Sequence, residues 1–256
     1  MIHPQAIVDP GAILHDSVTV GPWTTIGANV QIGANTEIAS HVVIKGPTTI
    51  GSDCRIFQFS TIGDETPDKK YQGEDTALVI GDHNVIREGV TIHRGTVQDR
   101  GETRIGDHNL IMAYSHIGHD SVIGNHVVMV NNASAAGHVV VGDWAVLGGY
   151  TLIYQRCQVG AHAFTGMGTQ IGKDVPAFMM AYGAPAKVRA VNAEGLKRRG
   201  FSAEQVLDLR RAFKLLYRQG LTTDQALEQL AESAERSDVI AQLLDSVRAS
   251  TVGIIR

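Results

Sequence analysis

His119 and Asp120 stand side by side at the end of the segment Ala113-Tyr-Ser-His-Ile-Gly-His-Asp120. A histidine can take a proton from a hydroxyl near neutral pH, and a carboxylate beside it can fix its tautomer. Neighbours on a strand point to opposite faces, so Asp120 reaches the His119 ring only if the chain turns there. A surface histidine at a turn would give the same letters. His116, His126 and His138 crowd the same stretch, and several histidines together could also hold a metal ion.

What positions these residues is a period of six. Aliphatic or small residues recur at Ile105, Ile111, Ile117, Ile123, Met129, Ala135, Val141, Leu147, Ile153, Val159, Thr165 and Ile171, and a glycine often follows, as at Gly106, Gly118 and Gly142. The same register runs from Ile2 through Val8, Leu14 and Val20 to Ile62. A hexad repeat is the signature of a parallel β-helix: one short strand and one corner per hexad, the aliphatic residue pointing inward. The glycine is expected to ease the turn. Three hexads close a triangular coil, so residues about 18 apart stack at roughly 4.8 Å. His119 then lies under Gly137, which lies under Gln155; Asp120 lies under His138, and His108 under His126. A base and an exposed glycine N–H about 5 Å apart could flank a carbonyl, one activating the attacking hydroxyl and the other holding the oxyanion. His138 over Asp120 reads either as a structural hydrogen bond or as a substrate contact, and His108 over His126 as a stacked, solvated pair.

Composition fits a narrow tube: 28 glycines in 256 residues, 43% hydrophobic, and only 5% aromatic. The net charge of −4 argues against nucleic acid as the main partner. Cys54 and Cys157 lie in no metal motif, which suits a reduced, cytoplasmic chain. The start, Met1-Ile-His-Pro-Gln, shows no export signal, and no apolar run approaches a membrane span.

Two stretches leave the register. Residues 64–79 are charged and carry Pro67 and Gly73, and residues 93–104 shift the register by one before Ile105. Both read as loops thrown out from the tube, where binding residues tend to sit. After Ile171 the period fades into a linker containing Asp174-Val-Pro-Ala and Gly183-Ala-Pro-Ala. From Asn192 the pattern is helical, with capping boxes at Ser202/Gln205 and Thr222/Gln225, a stop at Gly220, and a last helix from Ser237 to Val247. The expected division is a β-helix over 1–190 and an α-helical domain over 191–256. Lys187 to Arg218 is locally basic: a solvated helix face, or a dock for phosphates or an acidic protein.

Four segments carry a family likeness: Ala113–Asp120, Val90-Thr-Ile-His-Arg-Gly-Thr96, Ala136-Gly-His-Val139 and Asn192-Ala-Glu-Gly-Leu-Lys-Arg-Arg-Gly-Phe201. Together they resemble the UDP-N-acetylglucosamine O-acyltransferases of lipid A biosynthesis, over almost the whole chain. The resemblance implies a left-handed β-helix, against the usual right-handed crossover. It also implies a homotrimer with sites between neighbouring tubes. The implied reaction moves an (R)-3-hydroxyacyl group from acyl carrier protein to the 3-hydroxyl of UDP-N-acetylglucosamine, with no metal or organic cofactor beyond the carrier's own phosphopantetheine.

By the same resemblance His119 is the general base, Asp120 its neighbour and Gly137 the oxyanion donor. Asp68 and Lys70 match residues near the sugar, and His116 and His138 further substrate contacts. Asn192, Glu194, Arg198 and Arg199 match positions around the nucleotide. The chain departs from the family at Tyr154-Gln155, where histidine commonly precedes glutamine; tyrosine donates a hydrogen bond but carries no charge near neutral pH. Met167 matches a chain-length ruler. It lies about 2.7 coils, or roughly 13 Å, beyond His119, close to the length of a ten-carbon chain, so the expected donor is 3-hydroxydecanoyl. The rival reading is a zinc hydratase resembling the γ-class carbonic anhydrases, which would need three histidines converging on one point.

Overall fold

A computed structural model describes residues 1–256. The chain winds into a left-handed parallel β-helix closed by four C-terminal helices. Its three faces are sheets of nine, eight and ten strands, here the first, second and third. Sheet neighbours lie one coil apart in sequence: His116–Ile117 pairs with Ser134–Ala135, and Ser134–Ala135 with Leu152–Ile153. All twelve hexad positions from Ile105 to Ile171 are buried in the tube. Thr165 takes one of them because its hydroxyl is satisfied inside, 2.7 Å from Thr151 Oγ1 and 3.1 Å from the Gly148 N–H.

The corners correct the expected role of glycine. The residues in the left-handed region are mostly not glycine: Asp120 (φ 57°), His138 (φ 62°) and Arg156 (φ 64°) stack in one corner column. Each such residue costs about 1–2 kcal/mol of backbone strain. Hydrogen bonds between coils offset it, with His138 N–H donating to the His119 carbonyl at 2.8 Å and Arg156 N–H to the Gly137 carbonyl at 3.2 Å. Glycine follows the inward residue for a different reason. A Cβ on Gly118 would sit 2.8 Å from the Gly137 nitrogen, and one on Gly142 2.5 Å from the Ala161 nitrogen. The coils come too close there for a side chain.

The two loops are shorter than their charged letters suggest. The first leaves after Asp64 and re-enters at Ala77; the second leaves after His93 and re-enters at Glu102. The flanking residues pair instead of looping, because Ala77–Ile80 lies in register against Glu102–Ile105. Both loops open from the corner between the first and second sheets.

The expected linker after Ile171 is part of the tube. Val175 bridges to Val159, Met179–Tyr182 pairs in parallel with Phe164–Thr165, and Lys187–Val191 folds back antiparallel as the last strand. Met180 stands opposite Phe164, so this last coil is shorter than the others and the hexad register lapses while the ladder continues.

Helices α1 (Ala193–Arg198), α2 (Ala203–Tyr217), α3 (Thr223–Ala234) and α4 (Asp238–Arg248) follow, and α2 and α3 open on the two capping boxes read from the sequence. Their buried residues, among them Leu209, Leu216, Leu230 and Leu243, continue the tube's core. The end of the chain is tied back where Ile254 bridges to Asp174. No helix is long and apolar enough to cross a membrane.

Candidate active site

The strand His116–Ile117 ends the first sheet's share of its coil, and Gly118 leads into the corner. The turn at Asp120 brings its carboxylate back to its neighbour: Asp120 Oδ2 lies 2.7 Å from His119 Nδ1. Both side chains are buried, His119 at 7% exposure and Asp120 at 1%. Thr96, from the second loop, donates its N–H to Asp120 Oδ1 at 3.0 Å and its hydroxyl to Oδ2 at 2.7 Å. Burial pushes the Asp120 carboxyl up, but the Thr96 N–H, His119, the Thr96 hydroxyl and nearby His138 outweigh it and hold the pKa below the ordinary carboxylate range. An ionised Asp120 accepts the hydrogen bond of the Nδ1–H and so fixes the proton on Nδ1, which leaves His119 Nε2 with a free lone pair.

That nitrogen faces Gly137 one coil above. A Cβ on Gly137 would lie 2.5 Å from His119 Nε2, so only glycine leaves room for the ring. The flanking amides are spent, Ala136 N–H on the Ile153 carbonyl and His138 N–H on the His119 carbonyl, while the Gly137 N–H has no acceptor. A lone pair and a free N–H therefore meet at one spot, the pairing that a proton abstraction beside an oxyanion needs.

Three more histidines surround the pair. His138 packs edge-on to His119 with ring centroids 4.8 Å apart. Its Nδ1 is bound to Asp99 of the second loop at 2.5 Å and stays 4.0 Å from Asp120. Of the two readings of His138 over Asp120, the structural hydrogen bond goes to Asp99 instead. His116 Nδ1 lies 2.8 Å from the Thr91 hydroxyl. Burial, and then the nearby charges of His93 and His119, lower the His116 pKa to about 4, so it is a neutral ring near pH 7. His93 lies edge-on to His116, and burial lowers its pKa as well. The expected stack of His108 on His126 is present, at 4.8 Å and 1° between planes, and continues onto Trp144.

A cleft of about 540 Å³ opens over the pair, and Asp68, Lys70, His116, His119, Gly137 and Gln155 all line it. An apolar groove of about 420 Å³ continues along the first sheet from Ala136 past Leu152, Tyr154 and Ile171 to Pro185. Buried Arg94 fixes the loop that carries Asp68 and Lys70. Its guanidinium donates to the Gly46 and Gly63 carbonyls at 2.6 and 3.0 Å and to the Tyr71 hydroxyl at 3.0 Å. Arg94→Met should therefore cost about 2 kcal/mol, read as a lower urea midpoint, with faster proteolysis at residues 65–76. An unchanged midpoint would mean that the loop holds itself.

The remaining expected residues lie on other corners of the same tube. Met167 is 82% exposed at the corner between the third and first sheets. Asn192 caps α1 and donates to the His162 carbonyl at 2.9 Å. Half-buried Arg199 lies 5.3 Å over the Trp144 ring, while Glu194 and Arg198 face solvent. A single tube does not bring these four, or Met167, to His119. Thr96 and Asp99 touch the site yet carry no signal in the hexad pattern; both lie on a register-shifting loop, and Thr96 also ends one of the four family-like segments.

His119, Asp120 and His138 offer ligand atoms within 4.8 Å of one another. The trio has two imidazoles where the zinc reading asked for three, and Asp120 Oδ2 already holds both His119 and the Thr96 hydroxyl. These donors fit a hydrogen-bond relay better than a tetrahedral zinc site.

Comparison with known proteins identifies the family. The family described as UDP N-acetylglucosamine O-acyltransferase, domain 2, matches residues 174–255, and the bacterial transferase hexapeptide family matches residues 102–134. The chain is 65% identical over its whole length to an acyl-[acyl-carrier-protein]--UDP-N-acetylglucosamine O-acyltransferase of Stutzerimonas stutzeri, covering 99% of that protein. It superposes on the UDP-N-acetylglucosamine O-acyltransferase of Moraxella catarrhalis with a TM-score of 0.98 at 45% identity, over 100% of this chain and 99% of that one. On the Francisella novicida UDP-N-acetylglucosamine acyltransferase the TM-score is 0.98 at 42% identity, over 100% and 94%. With this identity sustained from end to end, and with the relay and the cleft in place, the chain belongs to the UDP-N-acetylglucosamine O-acyltransferase family.

Proposed function

We propose that this protein transfers an (R)-3-hydroxyacyl group, preferably 3-hydroxydecanoyl, from acyl carrier protein to the 3-hydroxyl of UDP-N-acetylglucosamine. This is the first step of lipid A biosynthesis and takes place in the cytoplasm. The observation that carries the mechanism is the free His119 Nε2 facing the unpaired Gly137 N–H, with Nδ1 held by an ionised Asp120. His119 Nε2 takes the proton of the sugar 3-hydroxyl as its oxygen attacks the thioester carbonyl. The carbonyl oxygen becomes an oxyanion and accepts the Gly137 N–H. Asp120 stabilises the imidazolium that forms. When the tetrahedral centre collapses, the carbon–sulfur bond breaks and the carrier's phosphopantetheine thiolate takes the proton from His119.

The tube of 1–190 supplies this chemistry, and the helical domain of 191–256 supplies partner contacts. Asp68, Lys70, His116 and His138 surround the sugar. Gln155 and, from the helical side, Asn192, Glu194, Arg198 and Arg199 serve the nucleotide. Arg198, Arg210, Arg211, Lys214 and Arg218 are exposed and offer a basic face to an acidic carrier protein.

The acyl chain runs along the apolar groove from Ala136 towards Pro185. Met167 and the Asn192–Arg199 set sit on other corners of their own tube, so they reach a cleft only if it lies between neighbouring copies. This supports a homotrimer with three shared sites, which sedimentation would report as a species of three chains. Met167 of a neighbouring copy then closes the groove at about ten carbons. Met167→Gly should move donor preference from 3-hydroxydecanoyl towards 3-hydroxymyristoyl by at least about tenfold in relative kcat/KM, since each buried CH₂ is worth about 0.8 kcal/mol. A donor panel from ten to fourteen carbons tests this; an unmoved preference would remove Met167 from the groove.

A further inference from the structure

Thr96 lies buried in the second loop, outside the lining of the cleft. Yet both donors it owns point at one carboxylate. Its N–H meets Asp120 Oδ1 at 3.0 Å and its hydroxyl meets Oδ2 at 2.7 Å. The same Oδ2 faces His119 Nδ1 at 2.7 Å. A carboxylate has about four lone-pair sites and can hold all three donors at once.

We propose that Thr96 is the positioning residue of the site, the outer member of a Thr96–Asp120–His119 relay that sets the plane of the carboxylate and hence the direction of His119 Nε2. The inference rests on His119 being the base. The side-chain torsion that turns an aspartate carboxylate is soft and broad. The other bond Asp120 makes, from its own N–H to Thr103 Oγ1 at 2.9 Å, fixes the main chain and leaves the carboxylate free to rotate. Donors on both oxygens remove that freedom. The His119 ring has no other hydrogen-bond partner, so its orientation is inherited from the carboxylate.

Thr96 can act this way because it is itself held. Its carbonyl accepts the Gly101 N–H at 3.0 Å, and the preceding residues are tied to the tube by Gly95 N–H to the Ala77 carbonyl at 3.2 Å and Arg94 N–H to the Asp64 carbonyl at 3.1 Å. Asp99 of the same turn holds His138. The two imidazoles that meet edge-on are thus oriented from one loop.

Thr96→Val tests this because it keeps the volume and the N–H and removes only the hydroxyl. The expected result is a kcat lower by about tenfold, the smaller end of what outer partners of working histidines contribute, with KM for the sugar nucleotide unchanged. The ¹H–¹⁵N resonance of the His119 Nδ1–H, read on the protein without substrate, should also move. Thr96→Ser, which restores a hydroxyl, should return both. Thr96→Ala carries the same test should the valine variant fold poorly. Wild-type kcat together with an unmoved resonance would overturn the proposal, as would a loss that serine does not repair. If His119→Ala kept the wild-type rate, the base assignment would fall, while the resonance would still decide whether Thr96 holds the pair.

Discussion

His119→Ala should lower the rate of acyl transfer by about 10²- to 10⁴-fold, the usual contribution of a positioned general base, while the protein stays folded. The side chain makes one hydrogen bond, to Asp120. The His119 carbonyl, which accepts the His138 N–H between coils, is untouched by the change. Asp120 keeps its two donors from Thr96 and remains satisfied. The loss should therefore fall on kcat, with KM for the sugar nucleotide and the thermal midpoint close to wild type. Steady-state rates beside a melting curve check this. A variant with wild-type kcat would mean that another group takes the proton, and His116, neutral near pH 7 and lining the same cleft, would be the next to test.

Gly137→Ala should cost about 10²-fold in kcat through a single methyl group. The added Cβ would lie 2.5 Å from Nε2, 2.7 Å from Cε1 and 3.0 Å from Cδ2 of His119. The ring cannot swing aside without breaking its bond to Asp120, which Thr96 holds from behind. A displacement of about 1 Å at a reacting group is enough for such a loss. Alanine suits the backbone at 137, which lies outside the left-handed region, so the fold should survive. Gly118→Ala is the contrast. Its Cβ would meet main-chain atoms of Ala136 and Gly137 at 2.8 Å, and it should destabilise the tube itself. If Gly137→Ala kept the wild-type rate, the contact between coils would have no bearing on catalysis.

The β-helix was legible because its core is one-dimensional. A single inward position per hexad fixes the register, and the stacking of His119 under Gly137 follows from counting three hexads. The helices were legible for a local reason, since Ser202/Gln205 and Thr222/Gln225 carry their caps in four residues each. What failed was whatever the period does not encode. The glycines mark close approach between coils, a property of two chain segments, and so were read as turn formers. The coil from Asp174 to Val191 keeps its ladder but not its spacing, so it looked like a linker. Thr96 and Asp99 act on Asp120 and His138 across a loop whose path the letters do not give. Met167, Arg198 and Arg199 were assigned by resemblance. From other corners they serve the cleft only in the proposed assembly of several copies, and no intrachain spacing expresses that.

The most direct test of acyl transfer to the sugar is mass spectrometry of the sugar nucleotide after incubating the purified protein with UDP-N-acetylglucosamine and 3-hydroxydecanoyl acyl carrier protein. The expected product is a sugar nucleotide heavier by one 3-hydroxydecanoic acid less water, ester-linked at the 3-hydroxyl, with one carrier thiol released per product. An unmodified sugar nucleotide with this donor and with the twelve- and fourteen-carbon donors would contradict it.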